Sequence, residues 1–186
     1  MKKKDIIFME NIVDKAALTA RIKEASYLEG DFVLRSGKRS KYYMDKYLFE
    51  TQPDILRELG IEFCKHLTDD VTLIAGAELG GVALAAATAM EANLPWIIVR
   101  NSKKDYGTSK MVEGTLKEGD VVLLVEDIAT TGGQVLEAAK IITETGATVK
   151  KIVCVIDRKQ GGRENIEGAG HVFGSIITKE DLGITD

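Results

Sequence analysis

From residue 71 onward, short apolar runs without polar alternation (71–75, 96–99, 121–125 and 151–156) are separated by helix-periodic segments or polar loops. A strand that alternates polar and apolar residues can leave one face in water. One that does not must be covered on both faces, as in a parallel sheet between layers of helix. Helices are expected over 80–92, which is rich in alanine, and over 131–145, where Val135, Ala138, Ala139 and Ile142 recur at helical spacing. Strand–helix alternation of this length predicts an α/β fold, a doubly wound and mainly parallel sheet flanked by helices. Ligands in such a sheet settle beyond the carboxyl ends of the strands, near the point where strand order reverses. The segments after residues 75, 99, 125 and 156 are therefore where chemistry is expected.

The first third of the chain reads differently. A helix is expected over 11–25, with Val13, Ala16, Ala17 and Ala20 on one face and Gly30 breaking it. Two short runs, 32–34 and 42–44, flank the basic turn Ser36-Gly37-Lys38-Arg39-Ser40 and predict a hairpin. A second helix is expected over 53–67, with Pro53 in its first turn and Leu56, Leu59, Phe63 and Leu67 as its stripe. The chain's 186 residues suit one domain over 1–186 that buries roughly 70% of its unfolded surface. Its core is expected at about 53–157. Trp96, opening an apolar run, reads as part of it.

Several classes are excluded by composition. With 25 Lys+Arg against 29 Asp+Glu the net charge is −4, which argues against a nucleic-acid binder. The longest largely apolar run, 82–90, is short of the ~20 residues a membrane span needs. Two distant cysteines, Cys64 and Cys154, make no disulfide framework and fit a reducing compartment. The opening Met1-Lys2-Lys3-Lys4-Asp5 lacks the apolar stretch of a secretory signal, so the expected location is cytoplasmic. Cys64 and His66 lie two apart on a helix and do not face one ligand, so no zinc site is expected.

The third core run leads straight into Glu126-Asp127-Ile128-Ala129-Thr130-Thr131-Gly132-Gly133-Gln134. Two hydroxyls and two glycines between a strand and a helix suit a phosphate monoester, because backbone amides converge there with the positive end of the helix dipole. No Gly-Lys-Ser/Thr follows, so this is not a Walker loop. Carboxylates beside a phosphate repel it, so Glu126 and Asp127 must serve another part of the ligand, such as sugar hydroxyls or a metal. An N-capped helix behind two solvated acids is the plainer alternative.

V-V-L-L-V-E-D-I-A-T-T-G-G resembles the phosphoribosyl diphosphate signature of the type I phosphoribosyltransferases. The resemblance implies that Glu126 and Asp127 hold the ribose hydroxyls while Thr130, Thr131, Gly132 and Gly133 wrap the 5-phosphate. Many members carry Ser or Thr at the position of Gly133. Gly76-Ala77-Glu78-Leu79-Gly80-Gly81 stands where the family has its pyrophosphate loop, which implicates Glu78, Leu79 and Gly80; some relatives have lysine in place of Gly80.

The stretch 100–110 carries four positive charges against one negative and has no helical period. It reads either as a solvated charged loop or as a functional one. It resembles the catalytic loop of orotate phosphoribosyltransferases, R-K-x-x-K-x-H-G, with Arg100 and Lys104 at the pyrophosphate-binding and catalytic positions. Asn101 replaces a lysine of that pattern and Tyr106 a histidine. Phe32 to Asp45 resembles the same enzymes' L-[KR]-S-G-[RK]-x-S-x-Y-[YF] segment, and Asp157-Arg158-Lys159-Gln160-Gly161-Gly162 resembles their D-R-x-x-G-G. Arg35, Tyr42, Tyr43, Thr130 and Arg158 would then bind orotate, with Arg158 pairing its carboxylate. A solvated basic hairpin and a structural Asp157–Arg158 ion pair are the alternatives.

The resemblance spans about residues 30–182. It implies the type I phosphoribosyltransferase fold, with a small hood built from the N-terminal hairpin (about 1–50) and the C-terminal segment (158–186). It also implies transfer of a phosphoribosyl group to orotate, in pyrimidine (UMP) biosynthesis, with Lys104 and Asp127 catalytic. Mg²⁺ would be bound through the substrate and not by a dedicated protein cage, and the enzyme would be a homodimer with shared sites. Transfer to another base, or non-catalytic binding of phosphoribosyl diphosphate by a regulator, are the alternatives.

Overall fold

A computed structural model describes residues 12–33, 37, 39–102 and 110–184. The first helix, α1 (Lys15–Ser26), starts four residues later than its periodicity suggested. Asp14 caps it by accepting hydrogen bonds from the Ala16 and Ala17 amides at 3.0 and 3.1 Å, which fixes the start where an acidic cap can satisfy free amides. The chain then passes directly into β1 (Tyr27–Val33), so Gly30 lies within a strand and breaks no helix. β1 pairs antiparallel with β2 (Arg39–Met44) in the expected hairpin, a separate two-stranded sheet. A five-residue helix that no periodicity announced, α2 (Lys46–Glu50), follows Asp45 as its cap. α3 (Pro53–Cys64) ends three residues short of the expected limit.

The remaining elements are β3 (Leu73–Ala77), α4 (Gly80–Ala92), β4 (Trp96–Val99), β5 (Val112–Glu113), β6 (Val121–Ala129), α5 (Gly133–Thr143), β7 (Thr148–Asp157), α6 (Gly162–Gly168) and β8 (Phe173–Thr178). The six-stranded sheet has the order β5-β4-β3-β6-β7-β8, parallel throughout except for β5. From β3 the chain steps to β4 on one side; from β6 it steps through β7 to β8 on the other. The reversal therefore lies between β3 and β6.

Two apolar layers sandwich the sheet. Leu123 and Val125 of β6 face one, with Leu18 and Ile22 of α1, Phe49 of α2, Leu59 and Phe63 of α3, and Leu84 of α4. Val122 and Leu124 face the other, with Val135, Ala139 and Ile142 of α5 and Ile166 of α6. This is the period-2 sorting of a strand covered on both faces.

Three differences from the sequence expectation bear on the site. β6 continues to Ala129, because its ladder with β7 runs on to the Ala129–Asp157 pair. The two acids are thus strand residues, and α5 begins at Gly133, two residues later than expected. Segment 158–186, expected over the site as part of a hood, contributes β8 to the main sheet, where it pairs with β7 from Ile152–Phe173 to Asp157–Thr178. Trp96 is 37% exposed, since the neighbouring β5 pairs only with Ile98 and Val99 and leaves the start of β4 uncovered. No helix among the described residues is long and apolar enough to cross a membrane.

Candidate active site

Glu126 and Asp127 lie near the carboxyl end of β6, 4% and 2% exposed, on the strand flanking the sheet's reversal. Being adjacent in a strand, they face opposite layers. Burial, with the charge of Asp127 added to it, holds the Glu126 carboxyl well above the usual range. Glu126 Oε1 accepts a hydrogen bond from the Asp127 amide at 3.0 Å, while Oε2 has no hydrogen-bond partner among the described residues. A buried acceptor left in that state is costly unless a ligand donates to it.

Asp127 faces the α2–α4 side. Its Oδ1 accepts from the Ile128 amide, and its Oδ2 forms an ion pair with Lys46 Nζ at the start of α2. A Cβ built on Gly80 would stand 1.4 Å from Asp127 Oδ2, so the acid rests against the first residue of α4 only because that residue has no side chain. One turn beyond Lys46, Glu50 is 4% exposed and its Oε1 is also unpartnered among the described residues. Burial first, and then the Asp127 charge, pushes its pKa from 4.5 up to about 8.

After β6 the chain runs through Thr130 and the exposed Thr131 to Gly132, the N-cap of α5, which has φ +77. That left-handed backbone and the Ile166 side chain 2.9 Å from a would-be Cβ both require glycine. Gly133 is open by contrast: its would-be Cβ meets only Thr131 Oγ1, at 4.0 Å. Asn165 of α6 donates from Nδ2 to the Thr131 carbonyl at 2.9 Å and fastens the turn. Two threonines thus precede the N-terminus of an eleven-residue helix, where free amides and the helix dipole favour negative charge.

The loops after β3 and β4 and the first turn of α5 meet at one atom. The carbonyl oxygen of Glu78, whose peptide bond to Leu79 is cis, accepts from Asn101 Nδ2 and from Gln134 Nε2, both at 2.7 Å. The Glu78 carboxylate accepts from the Asn101 amide at 3.1 Å and lies 3.8 Å from Arg100 Nη1. Arg100 is also 3.9 Å from Glu113. Asn101, where the resembling pattern has lysine, thus serves as a clamp on the Glu78 loop. Leu79 is 60% exposed beside it. Lys104 and Tyr106 lie outside the described residues.

At the end of β7, Arg158 donates its backbone amide to the Ala129 carbonyl at 3.0 Å and its Nη2 to the Tyr42 hydroxyl at 3.2 Å. Its guanidinium carbon is 5.9 Å from the Tyr42 ring centroid, and that ring stacks on Tyr27 at 5.5 Å with 19° between the planes. Two expected base-binding residues, Tyr42 and Arg158, are therefore together. Tyr43 is not with them. It is the next residue along β2, turned to the other face of the hairpin, 44% exposed and 5.6 Å from Phe32. Arg35 lies outside the described residues. The groups that sequence reading left unassigned are Tyr27, Lys46, Glu50, Gln134 and Asn165. Gln134 closes the acidic motif and was the one with a visible signal; the others meet the site only through the tertiary fold.

Residues 53–181 match the family described as Phosphoribosyl transferase domain. The chain is 46% identical over 153 residues to the orotate phosphoribosyltransferase of Halobacterium salinarum, covering 82% of this chain and 87% of that one. It is 41% identical over 172 residues to the orotate phosphoribosyltransferase of Methanocaldococcus jannaschii, covering 92% and 98%. Among solved structures, the orotate phosphoribosyltransferase of Mycobacterium tuberculosis H37Rv superposes with a TM-score of 0.84 in its Fe(III) dicitrate complex, at 29% identity over 92% of this chain and 100% of that one. In complex with 5-phospho-alpha-D-ribosyl 1-diphosphate it superposes at 0.79, with 28% identity and the same coverage. With a family match over most of the chain and relatives more than 40% identical over more than four fifths of it, the chain belongs to the phosphoribosyltransferase family, among the orotate phosphoribosyltransferases.

Proposed function

We propose that this protein transfers the 5-phosphoribosyl group of phosphoribosyl diphosphate to orotate, giving orotidine 5′-phosphate and pyrophosphate. The observation that carries the reading is the pair Glu126–Asp127, buried at the reversal of the sheet and followed at once by an anion-binding helix start. Two carboxylates in that position suit vicinal hydroxyls, and Glu126 Oε2 has a vacant acceptor position for one of them. Thr130, Thr131, Gly132 and Gly133 hold the 5-phosphate. Glu78, Leu79 and Gly80, with Arg100 beside them, form the diphosphate end. Arg158 and Tyr42 take the orotate carboxylate and ring, and Arg35 and Thr130 complete the orotate-binding set.

Attack by the base nitrogen on C1 of the ribose releases diphosphate, and the ring gathers positive charge as the bond to the leaving group breaks. Asp127 stabilises that charge, with the Glu126 carboxyl beside the ribose, while Lys104 and Arg100 neutralise the departing diphosphate. Mg²⁺ would enter this site with the donor, held by donor oxygens and waters and not by a protein cage, with Glu126 and Asp127 as the nearby buried acids. When bound, the ion supplies charge neutralisation on the diphosphate. The reading includes a homodimer with shared sites. A cytoplasmic location fits the two cysteines, both free and buried.

The test is direct. The protein is incubated with phosphoribosyl diphosphate, Mg²⁺ and a panel of orotate, uracil and purine bases, and pyrophosphate release is followed. Release with orotate alone is expected. Release with a purine would give the site another base, and donor binding without release would make the protein a regulator.

A further inference from the structure

Lys46 stands apart from the exposed Lys41 of the hairpin. It opens α2, a helix fixed in place by the Asp45 cap, whose Oδ1 accepts from the Tyr47 amide at 3.2 Å. Its side chain is 30% exposed, its ammonium lies 5.2 Å from the Tyr47 ring centroid, and its ion-pair partner is Asp127 Oδ2. That oxygen is also the one resting on Gly80, the position on the diphosphate loop that offers no cation of its own. Three acids, Glu50, Glu126 and Asp127, are each under 5% exposed in this corner of the fold, and Lys46 is the cation the structure pairs with one of them.

We propose that Lys46 is a positioning residue for the donor site: its ammonium holds the Asp127 carboxylate seated on Gly80, where that carboxylate meets the ribose. A carboxylate has about four acceptor positions, so one can be filled by Lys46 while others remain for hydroxyls. The pair is buried on the Asp127 side and half-open on the Lys46 side, so its loss matters more than that of an exposed ion pair and less than that of a fully enclosed one. Burial lowers the affinity of Lys46 for its proton, but the Asp127 charge and hydrogen bond raise it by more, and the lysine stays charged.

The inference rests on the phosphoribosyl-donor reading of Asp127, and its test separates the two. Affinity for phosphoribosyl diphosphate with Mg²⁺ is measured by calorimetry for wild type, K46M, K46Q, K46R, D127N and the double variant K46M/D127N. Circular dichroism identifies the folded variants. K46M and K46Q are expected to weaken the donor roughly tenfold, and K46R to keep most of the affinity because it keeps the charge. In the D127N background K46M is expected to change affinity by less than about twofold, since the residue it acts through is already neutral.

Unchanged affinity in whichever of K46M and K46Q folds would overturn the proposal. So would losses that multiply in the double variant, or a loss in K46R equal to that in K46M. A wild-type protein that fails to bind the donor would overturn the functional reading itself, a result distinct from all of these.

Discussion

Replacing Glu50 by glutamine isolates the electrostatics behind the site. The carboxyl is 4% exposed and its Oε1 lacks a hydrogen-bond partner among the described residues. Burial and then the Asp127 charge raise its pKa from 4.5 to about 8; Lys46 opposes them without cancelling them, and Asp45 adds to the rise. Below pH 4.5 the group is protonated in both the folded and the unfolded chain and has no effect. Between 4.5 and 8 the unfolded chain has released its proton while the folded protein retains it, so stability falls as pH rises, at about 1.4 kcal/mol per unit. Above 8 the loss levels off. Integrated, the cost is about 3 kcal/mol at pH 7 and about 5 kcal/mol at most.

Glutamine keeps the shape and does not ionise. E50Q is therefore expected to match wild type near pH 4.5 and to exceed it by up to about 3 kcal/mol at pH 7. Urea unfolding followed by the fluorescence of Trp96, at pH 5, 6, 7 and 8 for both proteins, gives the difference directly, because every other titrating group is common to the two. A difference that does not grow with pH would refute the reasoning.

Three further outcomes are expected. Gly80→Ala places a methyl 1.4 Å from Asp127 Oδ2, so the acid must leave its seat; the KM for phosphoribosyl diphosphate should rise at least tenfold in steady-state assays while the melting temperature moves little. Arg158→Ala removes the guanidinium beside Tyr42 and should weaken orotate by ~2 kcal/mol, the cost of a lost charge-assisted contact; calorimetry should show donor affinity nearly unchanged, and equal loss of both ligands would make this arginine structural. Lys104→Ala should cut turnover by two or more orders of magnitude with donor binding largely intact, in line with the loss of one donor to a developing charge; unchanged pyrophosphate release would remove this lysine from the catalytic group.

Much of this fold was legible because its central strands are apolar on both faces and because α3 and α5 carry regular stripes; in α1 the expected face failed, since Leu18 and Ile22 are buried while Ala16, Ala17 and Ala20 are exposed. Short elements were not. α2 has five residues and β5 two, below the length at which a period can be read. β8 contains Gly174 and Ser175 and is a strand because β7 offers it a ladder, which is a property of its neighbour. The acidic and threonine–glycine positions were readable since chemistry of that kind sits on consecutive residues. The Lys46–Asp127 pair, 81 residues apart in the chain, was not. The misplacement of Tyr43 beside Tyr42 was avoidable, because neighbours in a strand face opposite ways.

The Glu78 carbonyl, gripped at 2.7 Å by both Asn101 and Gln134, has an entropic consequence. Loops that move independently must each lose conformational freedom when a ligand arrives, and that loss subtracts from affinity. Joined through one oxygen atom, Glu78, Asn101 and Gln134 restrain one another, and the freedom they lack was surrendered when the chain folded. Under the proposed function, a diphosphate reaching these three residues meets groups already tied to one another, so that more of the interaction energy is expressed as binding.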